Sequence, residues 1–227
     1  MAETTWKDPK VTVDVVLLTV QDRQLRVLLH RRSQEPFAGQ LALPGGFCRI
    51  DESLEDAARR VLSAKARVAD VFLEQLYTFG AVDRDPRDRI ITVAWMALVG
   101  PHQLPADAAL AEVEVPWAGE TGGPVDTRLD GALVDLAFDH ADIVGMAVKR
   151  LRGKLDYTPI GFQLLAPTFT LRQLQDVHET ILGHTVNKDS FRRRMLATGH
   201  LEATGDRQTA VGHRPAALYR FVRRSAL

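Results

Sequence analysis

Apolar positions follow one another almost without interruption in the first fifth of the chain and recur at every third or fourth position later. The change of period predicts the order of elements. Val11-Thr12-Val13-Asp14-Val15-Val16-Leu17-Leu18-Thr19-Val20 is β-branched and apolar, which predicts a central strand. A polar turn, Gln21-Asp22-Arg23-Gln24, and then Leu25-Arg26-Val27-Leu28-Leu29-His30-Arg31-Arg32 predict a hairpin. Residues 33–40, with Pro36 and Gly39, read as a loop. Leu41-Ala42-Leu43 leads into Pro44-Gly45-Gly46, expected to be a sharp turn whose glycines allow positive φ or close approach of a ligand. Ser53-x-x-Asp56 has the form of a capping box and starts a helix expected over about 54–65. Residues 73–80 and 89–99 read as strands on either side of the charged turn Asp83-Arg84-Asp85-Pro86-Arg87-Asp88. Residues 100–130 are rich in Pro, Gly and Ala without a period and are expected to be loops. Ile143, Ala147 and Leu151 recur at spacing four, which predicts a helix over 139–155.

Past Tyr157-Thr158-Pro159-Ile160-Gly161 the pattern changes. Thr170-x-x-Gln173 is a capping box, and Leu171, Leu174, Val177 and Ile181 form one apolar stripe that Gly183 ends. A shorter helix is expected over 188–198, stopping at Gly199. Two helices around a Gly-containing turn fit a helix-turn-helix, and residues 201–221 read as a hairpin behind it, the wing. The expected architecture is a mixed-sheet α/β/α sandwich over residues 1–157 and a winged helix-turn-helix over 158–227.

Charge sharpens this division. The 227 residues have a formal net charge of zero, yet residues 168–227 hold ten Lys/Arg against five Asp/Glu. A basic module after an acidic one is the footprint of a nucleic-acid reader joined to something else, or else a basic solvated face without a partner. Hydrophobic residues at 45% and charged residues at 26% are ordinary globular values. The single Cys48 makes no intrachain disulfide, which suits a reducing cytoplasm. No signal-like layout and no long apolar run is present, so a cytoplasmic protein without membrane association is expected.

Pro44-Gly45-Gly46-Phe47, then Glu52, then Arg60 is similar to the front half of the Nudix box, Gly-x5-Glu-x7-Arg-Glu-hydrophobic-x-Glu-Glu-x-Gly-hydrophobic. The metal-binding acids of that box are replaced by Val61, Ala64 and Lys65, and its later Gly by Arg67. Diphosphate hydrolysis of this type needs a divalent cation held by oxygen ligands to neutralise phosphate and make a nucleophilic water. A hydrophobe, a methyl and an ammonium bind no Mg²⁺; Lys65 would repel the ion or meet a phosphate directly. No metal site, cofactor or catalytic residue is therefore expected, and the candidates are ligand contacts. Glu52 and Arg60 read equally as ligand contacts or as an ion pair between loop and helix. Arg84 and Arg87 suit a diphosphate through their planar forks, or belong to a solvated hairpin tip. Gly45 and Gly46 allow close approach, Arg32 (with Arg31) ends its strand either as ordinary surface charge or as a further phosphate candidate, and Phe37 either stacks on a base or packs locally.

In the second helix Phe191, Met195 and Leu196 should face the core, Arg192 should fall near the apolar side, and Asn187, Ser190, Arg193 and Arg194 should point out. Such a helix reads the major groove with its N-terminal side chains, and Lys188 suits a phosphate. Arg207, His213 and Arg214 of the wing suit backbone or minor-groove contact. His178, His184 and His200 lack metal-ligand spacing and read as structural.

With Phe169-Thr170-Leu171-Arg172-Gln173-Leu174-Gln175, Phe191-Arg192-Arg193 and Gly212-His213-Arg214-Pro215-Ala216-x-Leu218-Tyr219-Arg220-Phe221, the chain resembles the Nudix-related transcriptional regulators of NAD metabolism. The resemblance runs from about Val11 to Phe221. It implies a catalytically inactive Nudix domain that senses ADP-ribose or a related nucleotide. It also implies a homodimeric repressor of NAD biosynthesis or salvage genes, bound to a palindromic double-stranded operator. Two other readings stand beside it. A hydrolase of ADP-ribose type with an atypical metal site predicts Mg²⁺-dependent AMP release. A protein-interaction module predicts no steeply salt-dependent duplex binding.

Overall fold

The computed structural model describes residues 8–209 and 215–222. Among them, β1 (Lys10–Gln21) is the axis of the first domain. It pairs antiparallel with β2 (Gln24–Leu28) through the predicted hairpin. The strand expected over 25–32 breaks at Leu29. Its end, β3 (His30–Arg31), leaves the main sheet to pair with β4 (Leu41–Ala42). Gly45–Phe47 is not the predicted turn. It is a strand, β5, lying antiparallel to β1 with neither glycine at positive φ. The reason for Gly45 is close approach, because a Cβ there would lie 1.9 Å from Asp14 Oδ1 and 3.0 Å from the Val13 carbonyl.

Ser53 caps α1 (Leu54–Val61) by accepting the Asp56 N–H at 3.1 Å. The helix does not continue regularly to Lys65. Leu62–Ala66 is a π-helical turn, closed by Arg67 at φ 55°, the residue standing where the box has its Gly. β6 (Phe72–Phe79) and β7 (Ile90–Leu98) form a hairpin, and β7 runs parallel to β1.

The expectation of loops over 100–130 is wrong. β8 (Leu110–Glu114) pairs with β2, and β9 (Asp126–Leu129) and β10 (Ala132–Val134) extend the same eight-stranded sheet. These strands are short and made by distant pairing, so they leave little periodic trace.

The alternation along β1 sends its side chains to opposite faces. Val13, Val15 and Leu17 pack with Ala57, Ala58 and Val61 of α1. Val16, Leu18 and Val20 pack with Ile143, Val144, Ala147 and Leu151 of α2 (His140–Lys154). Two helices on the two faces of a mixed sheet give the expected α/β/α sandwich. Each fully buried Leu, Ile or Val of these stripes contributes roughly 1.5–3 kcal/mol.

The capping box of Thr170 and Gln173 opens α3 (Leu171–Leu182), which ends at Gly183 with φ 75°. Asn187 caps α4 (Lys188–Ala197), and β11 (Leu201–Arg207) pairs with β12 (Ala217–Phe221) as the wing. Phe169 joins the wing through two backbone bonds with Tyr219 and sits in a small core with Leu174, Phe191 and Met195. Leu196 does not join that core; its exposure is 43%. α4 touches its own domain along the narrow Phe191–Met195 stripe, and Leu196 lies off it.

α3 also belongs to the first domain. Its Val177 and Ile181 share a core with Leu151, Leu155, Ile160 and Leu164. Arg152, buried at the far end of α2, donates to the Ile181 carbonyl at 2.8 Å and to the carbonyls of Trp117 and Gly119 at 3.2 and 3.0 Å.

The close packing of α2 has a direct test. Gly145→Ala should gain about 1 kcal/mol of helix propensity. A methyl there would instead lie 1.8 Å from the Gly123 carbonyl. The expected outcome in urea melts is a net loss of about 1–3 kcal/mol, the usual cost of overpacking; a more stable variant would contradict the docking of α2 on this loop.

Candidate functional site

A cavity of about 300 Å³ opens where β1, β3, β5, the π turn and the 83–88 turn meet the start of α2. Arg31, Arg32, Gly45, Gly46, Lys65, Arg84 and Arg87 line it, together with Asp14, His30, Asp85, Phe47, Phe138 and His140. Most of the predicted ligand residues are thus brought together, though not in equivalent states.

Arg84 is inward. Its guanidinium makes a two-pronged bond to Asp139 at 2.8 and 2.6 Å and lies 3.7 Å from Asp14, with 4% side-chain exposure. It builds the wall of the cavity rather than offering a free fork. Arg87 holds Asp85 at 2.9 and 2.6 Å yet is 41% exposed. Burial alone would raise the Asp85 pKa, but hydrogen bonds from the Arg87 side chain and backbone outweigh it and bring it below the ordinary value. Arg32 donates to the carbonyls of Pro36 and Gln34 and lies 4.7 Å from the centroid of Phe138, while burial and then Arg87 lower its pKa. Lys65 Nζ donates to the Gly45 carbonyl at 2.6 Å, and burial pulls its pKa down.

Glu52 and Arg60 are the exception. They do not line the cavity. Arg60 binds Glu52 at 2.8 and 2.5 Å and reaches the Phe47 carbonyl at 3.0 Å, so the pair ties β5 and its loop to α1. The Arg60 hydrogen bond holds the Glu52 carboxyl down to about 2. Of the readings open in sequence, the loop-to-helix ion pair is the one the geometry forms.

Several lining residues were not among the predicted ligand contacts, His30, Phe138, Asp14 and His140 among them. Phe138 takes Arg32 and Arg87 over its ring and meets Phe37 edge-on at 4.8 Å. Asp14 lies in the middle of an apolar strand. His140 accepts the Leu43 N–H at Nδ1, 2.9 Å, and burial lowers its pKa. The polar residue interrupting the β1 run was the one signal that could have found Asp14. Phe138 and His140 had none, because they reach the cavity from a distant segment. Among the described residues no group of three or more His, Cys, Asp or Glu is placed to hold a metal ion. Val61 is buried in the core, and Ala64 has no donor.

The second candidate surface is α4 with the wing. Asn187 spends its side chain on the cap, accepting the Ser190 N–H at 3.0 Å, so it is committed to the helix start rather than to a free edge. Lys188, Ser190 and Arg193 are exposed. Arg194 pairs with Asp156 of the interdomain linker at 3.0 Å. Arg192, expected near the apolar side, is exposed instead and lines a cleft of about 580 Å³ with Lys188, Arg172 and Arg207. Arg207 donates to the Pro215 carbonyl at 3.0 Å. His213 and Arg214 lie outside the described residues.

A cavity with arginines over aromatic rings, on a Nudix-like sheet, and a basic winged helix define the class. Residues 8–119 match the NUDIX domain, and residues 161–221 match the NrtR DNA-binding winged helix domain. The chain is 38% identical over 219 residues to the "ADPR responsive transcriptional repressor NtrR" of Acinetobacter baylyi, covering 95% of this chain and 83% of that protein. Its fold is similar to Shewanella oneidensis NrtR complexed with a 27mer DNA, with TM-score 0.77 and 37% identity over 93% of each chain. It is also similar to the NUDIX domain of that protein complexed with ADP ribose, with TM-score 0.50 and 36% identity over 64% of this chain and 90% of that one. The chain belongs to the NrtR family of Nudix-related regulators. Among the described residues no helix is long and apolar enough to cross a membrane.

Three histidines, His30, His140 and His178, set a pH dependence. Burial lowers His30 and His178 from 6.5 to about 4, His30 in the cavity and His178 on α3 against the Phe191 ring of α4. Between those values the unfolded chain takes up protons that the folded chain refuses. Stability should therefore fall as pH drops through that window, by up to about 1.4 kcal/mol per pH unit for each group. Calorimetric Tm against pH checks this. His178→Gln should flatten the slope, and an unchanged slope would exclude its contribution.

Proposed function

We propose that the chain is a DNA-binding transcriptional repressor whose Nudix cavity binds ADP-ribose as effector and does not hydrolyse it. Its targets are the genes of NAD biosynthesis or salvage that the resemblance implies. The observation that carries the reading is the placement of α2. Its first residue, His140, lines the cavity, and Asp139 before it grips Arg84. Its far end sets Arg152 against the last turn of α3, the first helix of the winged helix-turn-helix. The whole helix, 15 residues long, makes a rigid strut of about 22 Å.

A nucleotide suits the cavity chemically. Arg32 and Arg87 offer planar cations, and Phe138 and Phe47 offer ring faces beside them. Exposed Lys188 and Arg193 supply the positive face for duplex, with α4 entering the major groove. A homodimer would present two such helices to a palindromic operator. The ligand alters DNA affinity only by binding one arrangement of the domains better than another. α2 is the element whose tilt both sites would feel.

Absence of hydrolysis follows from the missing donors at Val61, Ala64 and Lys65. The chain incubated with ADP-ribose and Mg²⁺ should release no AMP; release at an enzymatic rate would favour the hydrolase reading.

The decisive measurement is duplex binding to the promoter next to its own gene, titrated with ADP-ribose. The expected outcome is binding that weakens steeply with salt and by roughly 5- to 150-fold with ADP-ribose, the usual span of coupling energies. No binding at low salt would refute the regulator. Lys188→Ala and Arg193→Ala should each reduce the salt slope by about one if they meet phosphates.

Arg152→Met tests the strut. It leaves carbonyls of α3 and of the 117–119 loop unpaired, at a cost of about 1–3 kcal/mol. ADP-ribose and DNA should each still bind, while the effect of one on the other shrinks. Unchanged coupling would take Arg152 out of the route.

A further inference from the structure

We propose that this cavity takes the diphosphate of its nucleotide without a divalent cation, the Lys65 ammonium meeting the phosphates where a hydrolase box carries a metal-binding glutamate. The inference rests on the reading of the cavity as the effector site.

The donor set excludes the ion first. Of the three box positions that would bind it, Val61 is in the core, Ala64 has a methyl, and Lys65 is a cation. The two carboxylates that line the cavity are already engaged. Asp85 is held by Arg87 at 2.9 and 2.6 Å. Asp14 packs against Gly45 and lies 3.7 Å from the Arg84 guanidinium and 3.8 Å from His140 Nε2. Arg32 and Arg87 add positive charge along the same wall, so a divalent cation would enter against repulsion from three sides.

The same arrangement favours an anion. Lys65 sits in the π turn, and one bond of 2.6 Å to the Gly45 carbonyl anchors its Nζ at the cavity wall. An ammonium has more donors than a single carbonyl uses, so the group is held in place with hydrogen-bonding capacity to spare. β5 brings the Gly45 and Gly46 backbone to the same wall without side chains in the way.

The replacement has a chemical consequence. A metal ion neutralises phosphate and also delivers a bound water of lowered pKa. An ammonium does only the first. The cavity would therefore hold the diphosphate firmly while supplying no nucleophile, and the ligand would survive its own detection.

The test is calorimetric titration of the full chain with ADP-ribose, in EDTA and again with excess Mg²⁺. The inference expects the same affinity in both. Lys65→Met should weaken binding roughly 10- to 100-fold under both conditions, the effect of losing one charge-assisted hydrogen bond. Duplex binding by the same variant, retained without ADP-ribose, shows that it is folded. Wild-type binding that vanishes in EDTA and returns with Mg²⁺ would overturn the inference and leave the sensor reading intact. Lys65→Met binding as tightly as wild type would overturn it equally. No ADP-ribose binding under either condition would refute the sensor reading itself, and this inference with it.

Discussion

One buried guanidinium holds the first domain in its working shape. Arg84 leaves the 83–88 turn, passes inward, and ends on Asp139 in a two-pronged bond with Asp14 close by. An ion pair removed from water stabilises little relative to apolar residues of the same volume. Stripping one partner from it costs about 3–5 kcal/mol, because the other charge stays buried. Its value here is positional. It fixes the turn that bears Arg87, the strand that bears Asp14, and the start of α2. Asp139 would otherwise be free to cap that helix, and its side chain makes no cap bond. His140 follows immediately and accepts the Leu43 N–H, which anchors the segment leading into β5. Two successive residues at one helix terminus thus position both sides of the cavity.

The other end of α2 works differently. Arg152 is buried without a carboxylate among its hydrogen-bond acceptors, which are backbone carbonyls, and it stacks on Trp117 at 4.8 Å. A cation at the C-terminal turn of α3 also complements the dipole of that helix. Around it, Arg23 of the β1–β2 turn reaches Asp176 and Glu179 of α3 at 3.1 and 3.3 Å. Glu179 accepts the Val186 N–H at 3.1 Å in the turn before α4, the largest cause of its lowered pKa. The winged helix is therefore joined to the Nudix domain by α3 itself, whose Val177 and Ile181 lie in the first domain's core. A boundary at residue 157 separates folding patterns along the chain but cuts through packed residues. Coupling between distant sites needs such continuity and two arrangements that ligands prefer differently.

The Nudix framework persists here with different chemistry in its box. Glu52 and Arg60 keep the spacing of a hydrolase and serve as a clamp between loop and helix. Val61 supplies core packing, and Lys65 supplies charge of the opposite sign from a metal ligand. The scaffold is kept while the side chains of the box differ, so function has to be read from the site rather than from the fold.

The pattern along the chain by itself determined the elements whose signals are local. The strand β1, the β6–β7 hairpin, α2, the capped α3, α4 and the wing all follow from periods, caps and turn residues read within a dozen residues. The missing acids of the box and the basic second domain were legible too, because they are matters of residue identity and spacing. Only the tertiary structure decided which charges are free. Arg84 and Arg194 look as available in the sequence as Lys188 and Arg193, yet the first two are engaged by Asp139 and Asp156, 55 and 38 residues away. It also decided that residues 110–114 and 126–129 are strands, and that Phe138 and His140 belong to the cavity. The physical reason is common to all of these. A hydrogen bond or ladder made across many residues of sequence separation leaves no period behind, and a side chain's availability depends on partners that only folding brings within reach.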